Sequence, residues 1–251
     1  MGFDLGAFRD PALARSLCAH VERLAAGRPR AFMEVCGTHT VAIARSGLRS
    51  LLPGTLRLMS GPGCPVCATP QGEIELAIAA SRAPEVILAT FGDMVRVPGA
   101  EGSLETARSA GADVRVIFSP HDGLDLAREN PGRQVVLVGV GFETTIPAFA
   151  AVVLGAREEG LTNLSVLNSF RLVPPALRAV LGAGPALDGF ILPGHVSAII
   201  GAAPYAMLPE AGKAAVITGF EPVDVLAARV GRERLADGRQ QPPLPDRHRD
   251  V

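Results

Sequence analysis

An α/β fold is predicted, as two successive Rossmann-like units with mainly parallel four-stranded sheets and flanking helices. Three observations predict it. Short apolar runs rich in Val, Ile and Leu recur along the chain. Stretches with helical apolar spacing separate them. Gly, Pro or polar clusters bound them. Short β-branched runs alternating with helices mark strands buried on both faces of a parallel sheet.

The elements follow in order. Leu13, Leu17, Val21 and Leu24 mark the apolar face of a helix over 11–26, with Cys18 packed at its border. The first four strands are Ala31–Val35, Leu56–Met59, Val86–Thr90 and Val114–Phe118, with helices over 39–51, 71–82, 102–110 and 122–129. The second four are Val135–Val140, Leu164–Leu167, Gly189–Leu192 and Ala214–Thr218, with helices over 146–159, 174–182, 196–207 and 222–230. The turn Glu129-Asn130-Pro131-Gly132 reads as a joint between domains 1–130 and 131–230. Residues 231–251 are charged, Pro-rich and aperiodic, and are expected to form a disordered tail. Right-handed crossovers bring the strand-to-helix turns to one edge of each sheet. Ligands of open α/β sheets bind at that carboxyl edge.

Composition narrows the function. The 251 residues are 48% hydrophobic with a formal net charge of −1, so no global field favours nucleic acid or a membrane surface. With ten Phe, one Tyr and no Trp, stacking platforms for single strands are scarce. No apolar run has the length of a membrane span, and Met1-Gly2-Phe3-Asp4-Leu5 does not read as a signal peptide. A cytoplasmic location is expected, where clustered cysteines indicate metal or redox chemistry.

Four motifs at predicted strand ends carry the chemistry. Cys36-Gly37-Thr38-His39 follows the first strand. A thiol at a helix N-terminus meets the positive end of the dipole, which favours thiolate. Thr38 is placed to cap the helix, and His39 to hydrogen-bond or bind metal. Gly61-Pro62-Gly63-Cys64-Pro65-Val66-Cys67 follows the second strand. Its two-residue cysteine spacing suits chelation of one metal or closure of a small disulfide, and spacing alone does not separate them. Asp93, after the third strand, can orient His39, pair with Arg96 or cap a helix. Gly139-Val140-Gly141-Phe142-Glu143-Thr144 has Thr144 where a dinucleotide loop needs its third glycine, so nucleotide binding is not supported. Glu143 reads as a polar group lining a pocket or as part of a capping turn. His195, in Pro193-Gly194-His195-Val196-Ser197, is a strand-end histidine with a functional or a structural role.

Taken together these motifs resemble the HypD family of hydrogenase maturation factors. The matching stretches are Glu34 to His39, Gly61 to Cys67, Thr90 to Met94 with Arg96 to Gly99, Gly141 to Thr145, Pro193 to Gly201, and Gly219 to Pro222. The resemblance implies a scaffold that holds one iron with a small HypC-like partner. On that iron, cyanide from a HypE-like carrier and one carbon monoxide form an Fe(CN)2CO unit bound for the hydrogenase large subunit. It implies Cys36 as iron thiolate, Cys64 and Cys67 as redox pair or further iron ligands, and His39 as proton or ligand helper. Thiolates suit an iron carrying strong-field ligands. The family also carries a [4Fe–4S] cluster on C-terminal cysteines, whereas this sequence has no cysteine after Cys67. Two other functions are compatible with the same residues. One is a thiol–disulfide oxidoreductase using Cys64 and Cys67. The other is a structural zinc module using Cys36, His39, Cys64 and Cys67.

Overall fold

A computed structural model describes residues 9–25, 27–184 and 186–227. The chain folds as α1 (Pro11–Ala25), β1 (Arg30–Glu34), α2 (Gly37–Arg45), α3 (Leu48–Leu51), β2 (Leu56–Ser60), α4 (Gln71–Ser81), β3 (Val86–Phe91), α5 (Leu104–Ser109), β4 (Val114–Ile117) and α6 (His121–Glu129). It continues through β5 (Gln134–Gly139), α7 (Ile146–Glu158), β6 (Leu164–Asn168), α8 (Val173–Gly182), β7 (Gly189–Pro193), α9 (Gly194–Ile200), α10 (Met207–Glu210) and β8 (Ala214–Thr218). Residues 222–227 are helical. The predicted tail, 231–251, lies outside the described residues.

The α/β class and the two four-stranded parallel sheets are as the sequence predicts. Their succession is not. One sheet has the order β2-β1-β7-β8, the other β4-β3-β5-β6. Among the described residues, the units comprise 9–63 with 177–227, and 64–176, so the second is inserted in the first. The expected joint near residue 130 falls inside one sheet, because β5 pairs with β3 through Val135↔Ile87 and its neighbours. That turn is pinned, not hinged: the buried Asn163 amide donates to the carbonyls of Ala127, Asn130 and Arg133 at 3.0–3.1 Å.

Packing follows the apolar periodicity. In the first unit, Ala14, Cys18, Val21 and Ala25 of α1 join Phe32, Ile43, Leu48, Ile191 and Leu226 in one core. The buried stripe of α1 is rotated from the predicted one: Cys18 lies within it and not at its border, Leu17 is partly buried, and Leu13 of the predicted face is exposed. In the second unit, Ile87, Leu88 and Ala89 of β3 have no exposed surface, which is the two-sided burial expected of a central parallel strand. Two predicted helices are each broken. Gly47 at φ 66° separates α2 from α3, and Gly201 at φ 74° ends α9 before α10. A left-handed residue stops an α-helix, and glycine adopts that conformation without steric cost.

In both sheets the chain leaves a central strand in one direction and resumes on its other side. The switch falls between β1 and β7 in the first unit and between β3 and β5 in the second. At such a point the loops diverge and leave a crevice at the strands' carboxyl ends.

Candidate functional site

Cys36 and His195 follow the two strands that flank the switch of the first unit. Cys36 is the N-cap of α2, has extended backbone and is buried. Its carbonyl accepts from Thr40 N at 3.2 Å, the first turn of the helix. Thr38 does not cap, contrary to expectation, because α2 begins one residue before it. The backbone of Cys36 is covered by Gly63: a methyl group there would lie 2.5–2.6 Å from Cys36 C and Cα, closer than real side chains approach. Gly37 N donates to Gly63 O at 3.3 Å, and Gly61 N to Glu34 O at 2.8 Å. The glycines before Cys64 therefore seat the chain on the Cys36 turn.

His39, in the first turn of α2, has no exposed surface. Its Nε2 lies 2.9 Å from Gly219 O. A carbonyl only accepts, so Nε2 carries the proton and Nδ1 the lone pair. Nδ1 is buried without a partner. Burial, above all other causes, lowers the pKa of the ring and holds it neutral. Phe220 packs at 4.6 Å from the His39 ring and 5.1 Å from the exposed His195 ring. The two histidines singled out in the sequence thus flank one aromatic side chain.

Glu34, at the end of β1, is wholly buried. Its Oε1 accepts from Ser60 at 3.0 Å and Arg49 at 3.2 Å, while Oε2 has no partner. Burial raises its pKa despite the guanidinium. Glu34 and Phe220 both lie in motifs quoted above without having been assigned a role.

Cys64 and Cys67 belong to the second unit, and both are exposed. Residues 64–69 form a tight turn in which Ala68 N donates to Cys64 O at 3.1 Å and Thr69 Oγ1 to Pro65 O at 3.0 Å. Cys67 N donates to Cys64 Sγ at 3.2 Å. The Cys67 thiol hydrogen-bonds to Cys64, which pushes its pKa up. Cys64 Sγ is thus the acceptor of the pair.

The remaining candidates separate. Asp93 is exposed in the turn after β3. Arg96 pairs with Glu105 at 3.5 Å and not with Asp93. Glu143 is buried, and its Oε1 accepts from Val173 N at 2.8 Å, so it caps α8. A carboxylate there meets the positive helix end, the capping alternative for this residue. Its Oε2 has no partner. Among the described residues, neither unit gathers three His, Cys, Asp or Glu side chains as metal ligands. The four would-be zinc ligands divide two and two, Cys36 and His39 in one unit, Cys64 and Cys67 in the other. A cleft of about 480 Å³ in the second unit opens at the amino edge of its sheet, lined by Arg82, Asp113 and Arg133, and none of the candidate site residues lines it.

Parallel sheets bearing a buried thiol–imidazole motif on one and an exposed dithiol on the other define a cysteine-based α/β protein. The comparisons with known proteins make that specific. The HypD family model, described as "Hydrogenase formation hypA family", matches residues 12–236. The chain belongs to the HypD family. It is 49% identical over 227 residues to "Hydrogenase maturation factor HypD" of Rhodobacter capsulatus, covering 87% of this chain and 60% of the relative. It is 47% identical over 244 residues to "Hydrogenase expression/formation protein HupD" of Azotobacter chroococcum mcd 1, covering 93% and 64%. It is 42% identical over 227 residues to "Hydrogenase maturation factor HypD" of Escherichia coli K12, covering 87% and 61%. The chain therefore spans about three fifths of the length of these relatives. Among the described residues no helix is long and apolar enough to cross a membrane.

Proposed function

We propose that this chain acts in hydrogenase maturation as a scaffold that holds iron while an Fe(CN)2CO unit is assembled on it, in the cytoplasm, with HypC-like and HypE-like partners. The iron is cargo, passed on to the hydrogenase large subunit. Cys36 is its thiolate ligand, and Cys64 with Cys67 supplies redox equivalents or further ligation. Oxidation of that dithiol forms one S–S bond and releases two electrons and two protons.

The observation that carries this reading is the Cys36–His39 turn at the switch of the first sheet. The family membership gives the turn its context. The buried thiol is a soft donor. His39 offers Nδ1 as a base or ligand, because Gly219 occupies its other nitrogen. One cysteine donor leaves coordination positions for cyanide, carbon monoxide and a partner's ligand, as a transferable metal requires. The test is infrared spectroscopy of the chain purified without oxygen beside its small partner. Bands of iron-bound cyanide and carbonyl are expected, and Cys36→Ala abolishes them. Bands unchanged in that variant overturn the assignment.

The exposed Cys64–Cys67 pair also favours a second function, general thiol–disulfide exchange. Disulfide reduction that is untouched by Cys36→Ser and lost in Cys64→Ser supports that function instead.

A further inference from the structure

We propose that Arg171 is the positioning residue of the Cys64–Cys67 dithiol. The inference rests on these cysteines working as a redox pair and not on iron.

Arg171 follows β6, at the carboxyl edge of the second sheet. It is fixed there at both ends. Its backbone N donates to Gly141 O at 2.9 Å, and Nη1 donates to the carbonyl of Phe170 at 2.8 Å. Nη2 pairs with Glu73 Oε2 at 2.6 Å, in the first turn of α4. Both side chains are about three-tenths exposed, at 27% and 32%. Nε then donates to Ala68 O at 3.2 Å.

Ala68 is the residue after Cys67, and its N–H and carbonyl belong to two successive peptide units of the turn. Its N–H closes the turn on Cys64 O, while its carbonyl is held by the guanidinium. Among the described residues of this unit, no other side chain outside 64–69 hydrogen-bonds to the turn. The rest of the turn bonds to itself, and Pro65 has no N–H to give. Arg171 therefore sets where Ala68 sits. Ala68 sets whether Cys67 N–H points at Cys64 Sγ, the contact that stabilises negative charge on that sulfur. Glu73 fits the same role: the Arg171 guanidinium, ahead of Ser169, lowers the pKa of its carboxyl, so the ion pair is intact at neutral pH.

The test uses the full chain and two readouts. One is the rate of iodoacetamide labelling at Cys64 and Cys67, resolved by mass spectrometry. The other is the ratio of oxidised to reduced dithiothreitol at which the pair is half oxidised. In that assay oxidised dithiothreitol takes the two electrons and two protons. Arg171→Met is expected to slow Cys64 by about fivefold and to move the midpoint ratio by a similar factor, the effect of one lost charge-assisted hydrogen bond. Arg171→Lys keeps the charge beside Glu73 but not the fork that spans three acceptors, and is expected to fall between. If Arg171→Met fails to fold, Glu73→Gln replaces it, with a shift in the same direction. A folded Arg171→Met or Glu73→Gln chain whose rates and midpoint match the unsubstituted chain overturns the proposal. So does an Arg171→Lys chain identical to the unsubstituted one, because charge alone then suffices. Neither readout needs iron, a partner or a hydrogenase. Loss of the infrared assignment of Cys36 would leave this outcome standing, and the reverse holds too.

Discussion

His39 donates through Nε2 to the carbonyl of Gly219, 2.9 Å away, and so keeps an unprotonated Nδ1 in the protein interior. Nitrogen-15 shifts of the ring should report a neutral Nε2–H tautomer at pH 7 that persists at pH 6. A ring protonated at pH 6 would remove Nδ1 as base or ligand.

The same burial links His39 to acid stability. Its folded pKa is lowered, while an unfolded histidine titrates near about 6.5. Stability from the neutral ring is complete above about 6.5 and is lost as pH falls through the lowered folded value. Glu34 and Asp224 are shifted upward by burial and act with opposite sign, their contribution being lost as pH rises through the raised folded values. The difference between the parent chain and His39→Gln isolates the imidazole. The drop in melting temperature from pH 7 to pH 5 is expected to shrink in His39→Gln.

Gly63→Ala forces a methyl group against the main chain of Cys36. The contact is with backbone, which has no rotamer to yield. A loss of about 1–3 kcal/mol is expected from denaturant midpoints. Gly54→Ala, where a methyl group would meet nothing within 4 Å, is the control and should change stability by less than about 0.5 kcal/mol.

Glu143→Ala removes the acceptor of Val173 N and leaves a buried helix end open. A cost of about 1–2 kcal/mol is expected in chemical unfolding. Glu143→Gln keeps an acceptor oxygen and should cost less. Equal losses in the two variants would show that charge, and not capping, is what the site uses.

Cys64 and Cys67 are both exposed, yet hydrogen bonding to Cys64 pushes up the pKa of the Cys67 thiol. Timed alkylation of the reduced chain should label Cys64 first, Cys67 second, and the buried Cys18 and Cys36 last. Cys64→Ala removes the group that raises Cys67 and should speed its labelling about threefold.

Much of the fold was legible because parallel strands buried on both faces announce themselves as apolar runs. All eight strands appear at the predicted apolar runs, β1 included although Ala31, Phe32 and Met33 stand there in place of Val, Ile or Leu. Domain membership was not legible from such runs. The Glu129-Asn130-Pro131-Gly132 turn is a correct local signal for a bend, but which sheet β5 joins is decided by its pairing with β3. Sequence order says little about such distant pairing. The helix breaks at Gly47 and Gly201 were visible as glycines, but apolar spacing carries across them and hid their left-handed conformation. At the site, the thiols and His39 stood out because strand-end Cys and His are chemically conspicuous. Glu143 read equally as a pocket-lining group or part of a capping turn, and the partner it has, Val173 N at the start of α8, lies thirty positions further on, where local pattern does not reach. Arg171 gave no signal, because its partners, Ala68 and Glu73, lie about a hundred positions earlier in the chain.

The nested arrangement has a consequence for synthesis on the ribosome. β1 emerges early, yet one neighbour in its sheet, β7, begins only at Gly189. By then all four strands of the inserted unit, β3 to β6, have been translated and can pair among themselves. A collapsed insert shortens the effective span to be closed when β7 reaches β1, and with it the entropy that closure must overcome. The inserted unit can thus form before the outer one, and the Cys36 turn gains its His39 partner only once β8 has delivered Gly219.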